Sequence, residues 1–183
     1  YYLNNIPFAD HGALLDPPTE DVTARCISML AQIGDQKSEA VSKAVAYLRS
    51  TQLEEGSWYG RWGMNYIYGT WSVLCALNAA GVDPAMPEIR KAVAWLARIQ
   101  NPDGGWGEAG DSYKLDYRGY EPAPSTASQT AWALLALMAA GEVDHPAVVR
   151  GIEYLSQTQG KDGFWNEPRF TATGFPRVFY LRY

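Results

Sequence analysis

Carboxylates and aromatic rings are the side chains of this chain that could do chemistry. In the acidic stretch 16–21 (DPPTED), Thr19 is followed by Glu20 and Asp21, the pattern of a helix N-terminus whose acids favour the helix dipole. Seven Trp and twelve Tyr add ring faces, and Trp-rich surfaces beside carboxylates suit stacking on a sugar and acid–base hydrolysis when two carboxylates face one cleft. Phe175, Phe179 and Tyr183 recur at intervals of four, the spacing of one helix face. His11 falls in a loop and His145 sits between Asp144 and Pro146 at a helix start; neither has a second His or Cys close in sequence, so a metal site has no support. Cys26 and Cys75 lie mid-helix among apolar neighbours without a CxxC partner, which predicts buried free thiols in a reducing compartment.

The elements that must position these groups follow from a sixteen-residue pattern that occurs three times, at 43–58 (KAVAYLRSTQLEEGSW), 91–106 (KAVAWLARIQNPDGGW) and 150–165 (RGIEYLSQTQGKDGFW). Each copy opens on a basic residue, continues with an aromatic and a Leu, reaches a Gln (Gln52, Gln100, Gln159) and closes on a Gly and a Trp (Trp58, Trp106, Trp165). Before each copy lies a second helical segment, 25–34, 71–81 or 132–141, that ends on a Gly suited to a left-handed cap. The preceding segments are apolar around most of their circumference and read as an inner layer; the repeats are amphipathic and read as an outer layer. Self-similarity at this period marks units that cannot bury their apolar faces alone. The fold class is therefore all-α, an α/α toroid or solenoid, with helices over 21–33, 38–52, 66–80, 88–100, 128–140 and 146–159, no obvious place for strands, and a longer loop at 107–124.

Composition sets limits. With 183 residues, 47% of them hydrophobic and 19% charged, the chain suits one domain, 1–183. A net charge of −5 with Lys and Arg scattered singly argues against nucleic acid as a partner. The longest apolar stretch, 131–140, is too short to span a bilayer. Tyr1 in place of an initiator Met and the aromatic run 179–183 give the chain the look of a piece of a larger protein.

The three repeats match the QW motif, and the chain resembles the squalene-hopene and oxidosqualene cyclases that carry it. The likeness extends to 6–25 (IPFADHGALLDPPTEDVTAR), 56–71 (GSWYGRWGMNYIYGTW), 100–108 (QNPDGGWGE), 124–137 (PSTASQTAWALLAL) and 173–183 (TGFPRVFYLRY), which look like the bacterial squalene-hopene enzymes. It implies a partial α/α barrel, the latter part of a C-terminal catalytic barrel. Family catalysis begins when the middle Asp of a DxDD motif protonates an alkene. No DxDD occurs in these residues, so the isolated chain is expected to be inactive.

The resemblance also implies roles. Positive charge moves along a folded hydrocarbon during cyclisation, and ring faces stabilise it without taking a proton, each worth about 0.5–2 kcal/mol. Trp62 and Tyr68 match positions near the initiating acid, and Phe175, Phe179 and Tyr183 the cluster around later cations. Asp21 and Arg25 match the pair beside the DxDD acid; the best-known bacterial form has His where this sequence has Arg25, and a guanidinium can polarise the acid but not relay a proton to it. Phe8 and Ala9 match the constriction between substrate entrance and cavity. Gln52, Gln100, Gln159, Trp58, Trp106 and Trp165 are implied to brace the barrel, the Gln amides at neighbouring helix ends and the Trp rings on the adjacent repeat.

The reading is acid-initiated polycyclisation of squalene to hopene or hopanol, without metal or organic cofactor. Its partners are squalene, the rest of the parent cyclase, the lipid surface at the cytoplasmic side of the bacterial inner membrane, and further copies of itself, since an open barrel exposes apolar helices. Alternatives are an oxidosqualene-type cyclase, a carbohydrate-active α/α barrel, and a non-catalytic toroid scaffold. A protein prenyltransferase β-subunit shares the barrel but needs an Asp, Cys and His zinc set that these residues do not offer.

Overall fold

A computed structural model describes residues 17–113, 119–175 and 179–181. Six helices run through them: α1 (Glu20–Gln32), α2 (Glu39–Ser50), α3 (Tyr66–Ala79), α4 (Pro87–Arg98), α5 (Ala127–Ala139) and α6 (Pro146–Thr158). Every one lies within two residues of the span expected from periodicity, because local signals close both ends. Ser38 Oγ accepts from Val41 N, Thr126 Oγ1 from Gln129 N and His145 Nδ1 from Ala147 N, while Pro87 and Pro146 take first-turn positions that need no N–H.

The helices form two layers. α3 packs between α1 and α5 in the inner layer, and α2, α4 and α6 cover one side of it. Gly69, Ala76, Ala133 and Ala136 are buried in the inner helices and let neighbouring backbones come close. Ile67, Val73, Leu74 and Leu77 of α3 interlock with Leu134 and Leu137 of α5, and the apolar stripes Val41 and Leu48, Ile89, Val93 and Leu96, and Val148 close over them from the outer helices. Val22 and Met29 of α1, Ile33 at its C-cap, and Leu135 and Met138 of α5 stay exposed, on inner-layer faces the outer helices do not cover. Cys26 belongs to that exposed face of α1 and Cys75 is half-buried. The expectation of two buried thiols is corrected for Cys26, because the helix has apolar residues around its circumference but packs on only part of it.

The three repeats are joined by one device. Each Trp donates its indole N–H to a carbonyl near the end of its own outer helix: Trp58 to Leu48 O at 2.6 Å, Trp106 to Leu96 O at 2.9 Å and Trp165 to Leu155 O at 2.9 Å. The Gln amide reaches further. Gln52 Nε2 donates to Gly56 O and to Glu88 O in the first turn of α4 (2.9 and 2.8 Å), and Gln100 Nε2 donates to Gly104 O and to Ala147 O in the first turn of α6 (2.7 and 2.8 Å). The loop glycines permit this approach. Gly104, at φ +87, passes so near the next helix that a Cβ there would lie 2.6 Å from Arg150 O, and Trp106 packs against the backbone at Gly151 of α6. In the third repeat, among the described residues, Gln159 Nε2 reaches only its own Gly163 O, and Trp165 is 37% exposed where Trp58 and Trp106 are fully buried.

Strands do occur among the described residues, contrary to the sequence expectation, as two small antiparallel pairs. Within the expected loop, β1 (Trp106–Glu108) pairs with β2 (Pro122–Thr126), Trp106 opposite Thr126. Further on, β3 (Ala172–Phe175) pairs with β4 (Phe179–Leu181), Phe175 opposite Phe179. The placement of Phe175, Phe179 and Tyr183 on one helix face is thereby corrected: the first two are cross-strand partners. The interval of four is compatible with either geometry, and Pro176 decides against helix, since it disfavours a helical residue before it and contributes no N–H. Tyr183, Phe8 and Ala9 lie outside the described residues.

Replacing Gln100 by Ala removes three hydrogen bonds, the two that Nε2 donates and the one that Oε1 accepts from Arg150, so denaturant unfolding should show a loss of about 2–3 kcal/mol. Gln159→Ala, with one bond at an exposed site, should cost under about 1 kcal/mol. The reverse order would mean that the interlock is not where the repeats gain their stability.

Candidate active site

The N-terminal ends of the inner helices collect the buried polar groups. Asp21, in the first turn of α1, is 1% exposed. Its Oδ1 accepts from Thr19 Oγ1 at 2.6 Å and Val22 N at 3.0 Å, and its Oδ2 accepts from Trp62 N at 2.7 Å. The carboxylate therefore fastens the loop after the first QW motif onto α1. One turn along, Arg25 is exposed and lays its guanidinium over the Trp71 ring, 4.4 Å from the centroid. Trp62 is half-buried, with the Arg61 guanidinium 5.8 Å from its ring centroid.

Tyr68 stands beside this group. Its ring meets Trp71 edge-on at 5.5 Å and Trp132 edge-on at 5.2 Å, while Trp71 and Trp132 stack at 5.8 Å with 11° between planes. Gly63 packs directly on the Tyr68 ring. Burial pushes the Tyr68 phenol up, the Asp21 carboxylate adds to the rise, and the Arg25 guanidinium works against it. Asp21, Arg25, Trp62 and Tyr68 are thus gathered at one place, and Trp71 and Trp132 complete it. Sequence reading treated those two only as members of inner helices; their interval of 61 positions leaves no local periodicity to connect them. The β3–β4 hairpin is tied to the same loop, through the Gly63–Ala172 bridge and the bond from Met64 N to Thr171 O at 3.3 Å.

Two buried glutamates were also missed. Glu108 is fully buried; its Oε2 accepts from Asn65 N at 3.2 Å and Ile67 N at 3.0 Å, its Oε1 from Tyr66 N at 3.0 Å. Burial pushes this carboxyl up while those backbone donors pull it down. Glu167 accepts from Ser128 N and, at 2.9 Å, from Ser128 Oγ at the start of α5. Gln129 links the two ends: its Oε1 accepts from Glu108 N at 2.9 Å and its Nε2 donates to Met64 O and Glu108 O, each at 3.3 Å. A repeated signal was present, since both glutamates stand two residues after a QW Trp.

Chemically, this site offers a tray of rings whose faces accept positive charge, as Arg25 over Trp71 demonstrates, beside carboxylates engaged by backbone N–H groups. A glycosidase needs two carboxylates facing one cleft, and here Glu108 and Glu167 point into helix N-termini and Asp21 holds the loop at Trp62 instead. Among the described residues no three His, Cys, Asp or Glu side chains converge on a metal-sized site.

Residues 1–183 match the family described as squalene-hopene cyclase C-terminal domain. The chain is 76% identical over 185 residues to the squalene-hopene cyclase of Bradyrhizobium diazoefficiens and 50% identical over 187 residues to that of Alicyclobacillus acidocaldarius, covering 100% and 98% of this chain. It spans 28% of the length of each of those relatives. Among solved structures, ent-copalyl diphosphate synthase from Streptomyces platensis superimposes with a TM-score of 0.61 at 20% identity, over 79% of this chain and 28% of that one. The type II terpene cyclase MstE from Scytonema gives 0.51 at 21% identity, over 90% and 61%. The fold is accordingly a partial α/α toroid.

Tyr66, at the start of α3, gives the site end a pH signature. Burial, then the charges of Glu108 and Glu55, push its phenol from 10.0 up to about 12, with a backbone bond at Gly119 opposing. A folded value above the unfolded one means that its contribution is complete below pH 10 and lost as pH rises through about 12. Denaturant unfolding across that window should show a falling stability, and Tyr66→Phe should make the fall shallower. An unchanged slope would show that Tyr66 ionises as freely in the folded protein as in the unfolded chain.

Proposed function

The chain belongs to the squalene-hopene cyclase C-terminal domain family, and from that premise we propose that it forms the end of a cyclase that folds squalene and closes it into hopene or hopanol. One observation carries the reading: the half-buried Tyr68 and Trp71 rings and the buried Trp132 ring form a tray beside Trp62, and a guanidinium already rests on one of its faces. A carbocation migrating along a hydrocarbon finds there the stabilisation that ring quadrupoles provide.

In this proposal a protein acid in the rest of the enzyme protonates a terminal alkene, and the resulting cation is attacked by successive double bonds. Loss of a proton yields hopene, and capture by water yields hopanol. A proton enters and a proton leaves, so squalene and hopene are isomers and the reaction demands no oxidant, reductant or metal. Asp21 holds the Trp62 loop and Arg25 sets the charge beside the tray. Phe175 and Phe179, paired in a hairpin anchored to Gly63, serve the later cations. Squalene resides in lipid, so the enzyme would work at the cytoplasmic face of the inner membrane. Among the described residues no helix is long and apolar enough to cross it, which suits attachment to the surface. Self-association belongs to the same proposal, supported by the exposed Val22, Met29, Ile33, Leu135 and Met138.

The test uses the full-length enzyme with squalene. The parent protein should form pentacyclic product. Trp62→Ala should lower turnover roughly tenfold, the equivalent of one cation–π contact. Phe175→Ala and Phe179→Ala should release products with fewer rings, separable by chromatography. A parent without cyclised product would remove the proposed activity, and uniform loss without truncated polycycles would reduce the two Phe rings to packing.

A further inference from the structure

We propose that Glu108 is a positioning residue for the reaction, setting the Tyr68 ring by clamping the first turn of α3; the proposal rests on the cyclase reading above. Asn65 stands at the N-cap of α3 but its side chain makes no cap bond. Glu108 takes over that function from 43 residues away, accepting the backbone N–H groups of Asn65, Tyr66 and Ile67, where a negative charge also favours the helix dipole. Asn65 Nδ2 donates to Ser112 Oγ at 3.1 Å, which joins the turn to the segment that follows Glu108.

Tyr68 is the next residue along the helix, and its ring has little room. Gly60 and Gly63 approach it from one side, where a Cβ at Gly60 would lie 2.7 Å from Tyr68 Cδ1, and Trp71 and Trp132 meet it edge-on from others. A rotation of the first turn of α3 would therefore press the ring on the glycine backbone or pull it from the tryptophans. Glu108 is the group that opposes that rotation, since it binds three consecutive backbone donors and is itself fixed at its N–H by Gln129 Oε1.

The repeat supplies the control. Glu167, also two residues past a QW Trp, caps α5 through Ser128, a turn that does not carry Tyr68. A general need for buried caps would make the two glutamates equivalent; a positioning role separates them.

Glu108→Gln keeps the shape but turns one acceptor into a donor facing a backbone donor, so part of the clamp is lost. In the full-length enzyme, Glu108→Gln and Glu167→Gln should lower Tm by similar amounts. Glu108→Gln should lower kcat by about tenfold or more, with KM within about twofold. Only it should shift the Tyr68 13Cζ NMR resonance, which Tyr68→Phe assigns. Should Glu108→Gln fail to fold, Ser112→Ala loosens the same turn more mildly and is read by the same criteria. Retained kcat and an unmoved Tyr68 resonance would overturn the proposal, as would an equal shift of that resonance in Glu167→Gln. If the parent makes no cyclised product, the cyclase reading falls, and the Tyr68 resonance alone then decides whether Glu108 sets that ring.

Discussion

A double layer of helices leaves backbone carbonyls and N–H groups at every helix end, and where those ends are buried, water cannot satisfy them. That constraint organises this protein. On the carbonyl side, each of the first two QW glutamines donates to a loop carbonyl of its own repeat and adds a second donor to a first-turn carbonyl of the next outer helix, which fixes the offset between units. The indole N–H of the motif Trp answers it again at the end of the preceding outer helix.

The N–H side is met by carboxylates. Glu108 and Glu167 close back on the inner helix of their own unit, while Asp21 reverses the arrangement, the helix carrying the acid and the loop carrying the N–H of Trp62. The buried acids thus gather at one end of the inner layer, with their oxygens held by fixed donors. The ring tray of Tyr68, Trp71 and Trp132 lies against this frame. For cation chemistry the separation matters. Ring faces stabilise positive charge without accepting a proton, whereas an unengaged carboxylate would act as a base.

Much of the scaffold was legible in the sequence. Helical periodicity, Pro at first turns and Gly beyond last turns are local signals, and all six helices of the described residues fall where they point. The threefold repeat indicated that inner and outer helices alternate. At the site, Asp21, Arg25, Trp62 and Tyr68 came from family-like motifs within a 48-residue stretch. The interval of four between Phe175 and Phe179 misled, because it is shared by a helix face and by the two sides of a tight hairpin, and Pro176 tips the choice.

By itself the sequence determined the elements, their layer and the repeat, since each rests on contacts a few residues apart or on self-similarity. Tertiary structure alone decided what meets across the units: Trp71 stacked on Trp132, the Asp21 clamp on Trp62, Glu108 capping α3 and Glu167 capping α5. These contacts join residues roughly 40 to 60 positions apart, and a buried acid and a solvated acid look the same in one dimension. Only packing, which removes water from the helix ends, shows which carboxylates must bind backbone and which rings meet one another.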